Sequence, residues 1–458
     1  MFLRQRRTAV NRRFTPSQGG PCTGARRTSC CQRYRLMVER LEERCLLSGP
    51  SLVSNTFFGG SSDQRGTGIA INKGAIYLSG NVQPETQSAS DTALVLSYAT
   101  ATPPGASPAW SRTFDFGTDF FGIGATSEGV YAGGWNWSLS NDIFGAKEVK
   151  TMVAKFPRDG SSGAGPGGST WVAGAGGNLV TSFYGFDGVE SFNAVTTALE
   201  GGSPVIYAAG AGQACSPPTE FGSIVAKFST SDGIPLQALD ANACLGAEAS
   251  AVTVLNGNVY VSGSSGQSVI ERPTLWKYDP NLNQLWRQQD TSVAGTFRAE
   301  TAFGGAIYAV GDTFTPGVLN SEDYLIEKYD EAGNRLWTTT SGGAGTDVLT
   351  GVVGIGSRLF AVGYTNSEGA GGYDAVILEI DPNSGALVSR TLFGGAQDDK
   401  ANGAATDGTD LYVVGESRSF NAAGQNQVML LRYGLAGGVL TATGTSFSAT
   451  EGSAFNGT

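Results

Sequence analysis

A five-residue pattern recurs along this chain: an apolar residue, an aromatic, two small or apolar residues, then glycine. It reads IYLSG at Ile76–Gly80, VYAGG at Val130–Gly134, IYAAG at Ile206–Gly210 and VYVSG at Val259–Gly263. It continues as IYAVG at Ile307–Gly311, LFAVG at Leu359–Gly363 and LYVVG at Leu411–Gly415. The steps between the aromatic residues are 54, 76, 53, 48, 52 and 52. A near-constant period of this size marks a repeat architecture and excludes most other folds. The one long step holds a Gly/Ser-rich insertion at 158–177, read as a surface loop.

Each unit holds four strand-like runs. Small residues lead, as in GTGIAI and TGVVGI, then the aromatic strand, then runs such as IVAKF and LIEKY. A fourth run follows a turn, as in QLWRQ and RLWTT, with NLVTSF at 178–183 assigned to the second unit. Turns such as "YDEAGNRLW" carry the Asp and Gly of ordinary hairpins. Four short antiparallel strands repeated seven times predict an all-β, seven-bladed β-propeller. Glycine, 67 of 458 residues and about twice the usual share, fits the crowding near the axis of such a fold. Trp110, Trp286, Trp337, Phe58 and Phe393 belong at the wide rim. The fourth-strand pattern has an extra copy at 51–58, ahead of the first unit. That copy is expected to pair beside 426–433 as the outer strand of blade 7 and so remove two open edges; 437–444 competes for the place.

The motif Gly-Gly-x-x-x-Asp, then Gly-x-Ala, then Tyr-x-x-Gly resembles the bacterial seven-bladed β-propeller repeat family. It is clearest at 59–80, 342–363 and 394–415, and the resemblance spans about 51–443. It implies the fold and an envelope or extracellular setting, and no particular reaction. The expected organisation is an Arg-rich leader at 1–50, the propeller at 51–443 and a tail at 444–458. Within the leader, Leu41, Glu42, Arg44, Leu46, Leu47 and Ser48 resemble the sorting segment of planctomycete surface proteins. The tail, "GTSFSATEGSAFNGT", resembles the opening of an immunoglobulin-like module, as though cut short.

Charge and residue usage narrow the function. The chain has no histidine, which removes Ser-His-Asp, Cys-His and His-zinc chemistry. Residues 1–50 hold 11 Arg and 3 Glu, a formal +8, so the remainder carries −18. An acidic body without a basic stripe argues against a nucleic-acid partner. No stretch is apolar enough to span a membrane as a helix. Cys215 and Cys244, the only cysteines of the propeller, are disulfide candidates, which would suit an oxidising compartment.

Candidate site residues lie on the face shared by the loops between blades and the loops joining second and third strands. Asp63, Asp119, Glu190, Glu248, Asp347, Asp398 and Asp399 form a broken ring of acids there. Such a ring reads either as a cation or polar-ligand mouth or as carboxylates capping their own turns. An enlarged loop at 133–150 adds Trp135 and Trp137 as stacking surfaces. Trp135, Trp137, Asp119, Asp347 and Asp399 are therefore the ligand-binding candidates, and no catalytic residue is assigned. "DPNLNQLWRQQD" at 279–290 imitates a calcium loop, but Gln284 stands where its glycine belongs, so a turn is favoured. Calcium stays open without a complete motif, and no other cofactor is implied. The expected function is a secreted or cell-surface, monomeric binding scaffold for polysaccharide or envelope protein. The alternatives are a carboxylate-based glycoside hydrolase or lyase at the channel mouth and a structural spacer.

Overall fold

In the computed structural model the described residues are 49–83, 91–114, 118–136, 150–173, 190–212, 222–241, 246–266 and 270–435. The chain divides into units Met1–Leu46 and Leu47–Thr458, and every strand described below lies in the second. Strand β1 (Ser51–Phe58) comes first in the chain. Blade 1 follows as β2 (Asp63–Asn72), β3 (Ala75–Gln83), β4 (Thr92–Ala99) and β5 (Trp110–Phe114). Blade 2 is β6 (Thr118–Ala125), β7 (Val130–Asn136), β8 (Lys150–Phe156) and β9 (Trp171–Ala173). Blade 3 is β10 (Glu190–Glu200), β11 (Ser203–Gly212), β12 (Gly222–Ser229) and β13 (Pro235–Ala241). Blade 4 is β14 (Ala247–Leu255), β15 (Asn258–Ser265), β16 (Arg272–Tyr278) and β17 (Gln284–Gln289). Blade 5 is β18 (Ala294–Phe303), β19 (Ala306–Phe314), β20 (Asp323–Tyr329) and β21 (Arg335–Ser341). Blade 6 is β22 (Asp347–Ile355), β23 (Arg358–Thr365), β24 (Asp374–Ile380) and β25 (Leu387–Phe393). Blade 7 is β26 (Asp399–Thr406), β27 (Asp410–Ser417) and β28 (Gln427–Gly434), completed on the outside by β1.

The ring therefore closes as the extra strand copy requires. Strand β1 runs antiparallel to β28, with Ser54 opposite Arg432 and Phe58 opposite Val428. One expectation is corrected. The outer strand of blade 2 is Trp171–Ala173, inside the stretch read as a loop insertion, because Trp171 pairs with Lys155 as Trp286 pairs with Lys277. Residues 178–183 lie outside the described residues, as do residues 1–48 of the leader, Cys215, Cys244, Trp137 and 436–458, which include the rival strand at 437–444 and the tail at 444–458.

Seven apolar clusters fill the seven seams between blades. Tyr77, Val95, Phe120 and Phe156 pack between blades 1 and 2, for example, and Tyr308, Val310, Leu349 and Val376 between blades 5 and 6. The second strand of each blade sends alternate side chains into the seams on either side, so it is apolar without alternation.

A polar clamp also recurs at each seam. In blade 5, Tyr308, Lys328 and Trp337 stand side by side on three strands. All three donate to one carbonyl, Pro382 O of blade 6, at 3.1, 2.8 and 3.3 Å. In blade 4, Lys277 and Trp286 reach Glu331 O at 2.8 and 3.2 Å. Lys155 reaches Thr230 O at 2.7 Å, Lys227 reaches Pro280 O at 3.1 Å and Tyr412 reaches Thr100 O at 3.0 Å. Blade 1 has Ser97 where the lysine stands. Trp110 there donates to Arg158 O at 3.0 Å, and the Arg158 side chain returns to Asn72 O at 3.0 Å. Blade 6 has Phe360 and Glu379 in place of Tyr and Lys, and Arg358, paired with Glu379, donates to Leu435 O at 3.0 Å. Each target carbonyl lies just past the third strand of the next blade, so the clamp runs once around the ring.

A buried cation donating to a carbonyl is worth more than a neutral hydrogen bond. Lys277→Met keeps the apolar stem and removes the charged donor, so it is expected to lower stability by about 1.5–3 kcal/mol. Leu336→Ala, at a half-exposed rim position, should stay within about 0.5 kcal/mol. Urea midpoints at unchanged slope measure both, and equal midpoints for the Lys277 variant and the wild type would count against the clamp.

Candidate functional site: the mouth of the central channel

The motif glycine dictates the geometry near the axis. A Cβ on Gly311 would lie 1.9 Å from Thr296 O, and one on Gly363 would lie 1.9 Å from Val348 O. The same collision recurs at the other five motif glycines. Beside each glycine the innermost strand slips register by one residue, between Gly66 and Gly68 in blade 1 and between Ala401 and Gly403 in blade 7, with equivalents in all blades. Only a residue without a side chain admits the displaced carbonyl, and the resulting bulge re-aims the residue that it leaves unpaired.

The unpaired residues are Thr67, Phe121, Asn193, Ser250, Arg298, Thr350 and Asn402, and they line a central cavity of about 210 Å³. Four of them latch the next blade at the equivalent carbonyl. Thr67 donates to Phe120 O at 2.6 Å and Asn193 to Ala249 O at 2.9 Å. Thr350 donates to Ala401 O at 2.8 Å and Asn402 to Gly66 O at 2.9 Å. Two residues further along each strand the wall is aliphatic, as at Ile69, Ile123, Val195, Val252 and Val352, except at Glu300. Both Glu300 carboxyl oxygens are closed to solvent and lack a hydrogen-bond partner, as does the Ser262 hydroxyl. Burial pushes the Glu300 carboxyl up to about 8, against a smaller pull from Ser262 and the Thr253 amide, which lie close without making a proper hydrogen bond.

On the other side of the bulges, two residues before each, the positions are Arg65, Asp119, Ser191, Glu248, Thr296, Val348 and Lys400. Opposite them on the second strands stand Asn81, Trp135, Ala211, Ser264, Asp312, Tyr364 and Glu416. These fourteen positions form the layer at the mouth end of the channel, in which Ser264, Asp312 and Val348 are themselves buried. Arg65 Nε sits 2.9 Å from Glu416 Oε2 of blade 7, an ion pair without hydrogen-bond alignment. Arg298 is paired with Asp312, and Asn193 Nδ2 lies 3.3 Å from Glu248 Oε1. Lys400 Nζ stands 4.1 Å from the Tyr373 ring centre and 4.9 Å from that of Tyr364, the two rings edge to face at 5.3 Å.

Acidity at the mouth is displaced in one direction. Burial, reinforced by Asp91, pushes Asp119 up to about 6. Burial and Glu271 raise Glu248, and burial raises Asp312 against the pull of Arg298. Burial also raises Glu416, although Arg65, Lys400 and Arg418 oppose it.

The expected site residues divide between mouth and turn. Asp119 and Trp135 face each other in the mouth. Asp347 and Asp399, at 1% and 0% exposure, do not belong to it. Asp347 accepts the Gly343 amide and the Ser367 hydroxyl, both at 2.7 Å, together with the Thr365 hydroxyl. Asp399 accepts the Gly395 amide at 2.8 Å and the Ser417 hydroxyl. These carboxylates hold the Gly-Gly turn onto the second strand, and no ligand can reach them. Asp63 accepts the Asn426 amide at 2.7 Å and Asp398 the Tyr373 amide at 3.0 Å. Asp279 accepts the Asn281 and Asn283 amides at 2.9 and 2.8 Å, which makes 279–283 a turn that leads into β17. Among the described residues no three acids or cysteines gather as a metal cluster. Arg65, Arg298, Tyr364, Lys400 and Glu416 were missed, although aligning the seven units on their glycines gathers them into three columns: Arg65 and Lys400 two residues before the bulge, Arg298 at it, and Tyr364 and Glu416 just after the motif glycine.

No protein-family model matches this chain, so the resemblance to the bacterial propeller repeats rests on the motif alone. No curated protein matches it either. Among solved structures, the WD40 β-propeller domain of Doa1 is 12% identical, with 84% of this chain and 97% of that one covered and a TM-score of 0.48. The polysaccharide lyase Uly1 is 10% identical, with 81% and 90% covered and a TM-score of 0.47. The quinohemoprotein alcohol dehydrogenase of Comamonas testosteroni is 10% identical, with 89% and 78% covered and a TM-score of 0.46. At these identities the likeness is one of fold.

Glu300 generates a pH prediction. Its carboxyl is raised in the folded chain, so the folded state holds the proton more tightly than the unfolded one. Stability should then fall as pH rises from about 4.5 to about 8, by up to about 1.4 kcal/mol per unit. Glu300→Gln removes that dependence. Its unfolding midpoint should overtake the wild type's progressively across this window, and parallel curves would contradict the assignment.

Proposed function

We propose that this protein is a non-catalytic, carbohydrate-binding propeller, secreted or displayed at the cell surface, whose site is the channel mouth. One observation carries the reading. The motif glycine, which the fold requires, is the same in every unit, whereas the mouth position two residues before the bulge differs in all seven: Arg, Asp, Ser, Glu, Thr, Val and Lys. A residue that served the blade alone would recur with the blade. The mouth also combines aromatic faces at Trp135, Tyr364 and Tyr373 with paired charges, the mixture that suits hydroxyl-rich rings.

The extracellular setting is supported by the leader motif and the repeat resemblance, both read from sequence.

Binding of the full chain to a polysaccharide and cell-envelope glycan panel tests this. Trp135→Ala and Lys400→Ala should each weaken the best ligand by at least about 2 kcal/mol, roughly thirtyfold. Unchanged affinity in both variants, or no glycan bound by the wild type, would overturn the reading.

A further inference from the structure

Hydrogen-bond acceptors outnumber donors at one part of the mouth, the seam between blades 1 and 2. Asn81 is 7% exposed and Asp119 6% exposed, and the Oδ1 atom of each is buried without a partner. The two side chains are neighbours across the seam, the Asn81 amide pulling on the Asp119 carboxyl without reaching its Oδ1, and Asp91 is a second carboxylate within electrostatic reach of Asp119. Arg65, the cation that acts on both acids, is committed to Glu416 at 2.9 Å. Unpaired buried acceptors of this kind are unfavourable unless something supplies donors.

The residue directly opposite Asp119 on the neighbouring strand is Trp135, half-buried. Cross-strand neighbours hold their Cβ atoms about 4.5–5.5 Å apart, so an indole and an acceptor cluster lie within one sugar ring of each other. A primary ammonium offers three N–H donors in a compact head, and Asp119, Asn81 and Asp91 offer three acceptors. The geometry points to a subsite for a hexosamine with a free amine, its ring on Trp135 and its ammonium among Asp119, Asn81 and Asp91. A neutral hydroxyl brings one donor and no charge, and an N-acetylated amine brings one donor and a bulky acyl group, so neither meets the deficit. This inference rests on the carbohydrate reading of the mouth and names the sugar chemistry that the mouth would select.

Isothermal titration of the full chain with short chitosan oligosaccharides and with their fully N-acetylated counterparts, near neutral pH, tests it. The free-amine oligomer should bind at least about tenfold more tightly, as a charged hydrogen-bond set would give. Asp119→Asn and Asp91→Asn, both isosteric, should each bring that ratio toward one, with thermal melts confirming the fold. Equal affinity for the two oligomers in the wild type would sink the amine subsite and leave the mouth a carbohydrate site. A preference retained in both variants would place the selectivity elsewhere and equally sink it. Binding of neither oligomer, with other glycans bound, would refute the hexosamine, while binding of no glycan at all would also remove the reading on which it rests.

Discussion

The contact between each motif glycine and the carbonyl two residues before the bulge governs the rest of this molecule. Seven carbonyls sit where a Cβ would have to be, and each forces a one-residue slip in the innermost strand. The slip is what aims Thr67, Asn193, Arg298 and their equivalents at the axis. It also separates an aliphatic channel wall below from a charged rim above. A backbone close approach thus sets where side chains are free to differ.

Farther from the axis the blades are joined by a second repeated device, the donors that converge on a carbonyl of the next blade. Its chemistry is held more firmly than its residues. In blade 5 Tyr308, Lys328 and Trp337 supply it together. In blade 1 the cation is Arg158, contributed from the other side of the seam, and in blade 6 it is Arg358. The apolar seams supply most of the driving force for association of the blades, but apolar packing is non-directional. A donor aimed at a carbonyl across the seam, charged at six seams and the Tyr412 hydroxyl at the seventh, gives that packing a direction, and strand β1 completes the last blade.

Much of this was legible in the sequence. The period of the Tyr-x-x-Gly strands gave the blades, and the surplus strand at 51–58 gave the closure, because both follow from apolar patterning that each unit repeats. The outer strand of blade 2 was misplaced because only three residues form it, and they sit among glycines that read as loop. Asp347 and Asp399 misled for a different reason. An acid that recurs with the repeat is visible in sequence, but whether it faces solvent or its own turn depends on alternation around a bulge. That bulge left no local signal of its own. Arg298, Lys400 and Glu416 were unremarkable in isolation and gain meaning only as members of a ring assembled from seven distant strands.

On the proposed reading, the mouth keeps its charges for binding and at the expense of stability. A raised carboxyl pKa means that the folded state disfavours the ionised form that prevails at neutral pH; desolvation and neighbouring carboxylates raise both Asp119 and Glu248. The most direct measurement is the unfolding midpoint of the Asp119→Asn/Glu248→Gln double variant at neutral pH, without ligand. A midpoint above that of the wild type is the predicted result, since two isosteric neutral groups would replace two charges that the folded state disfavours. A midpoint below it would show that these carboxylates hold the propeller together, and would contradict their assignment to a binding site.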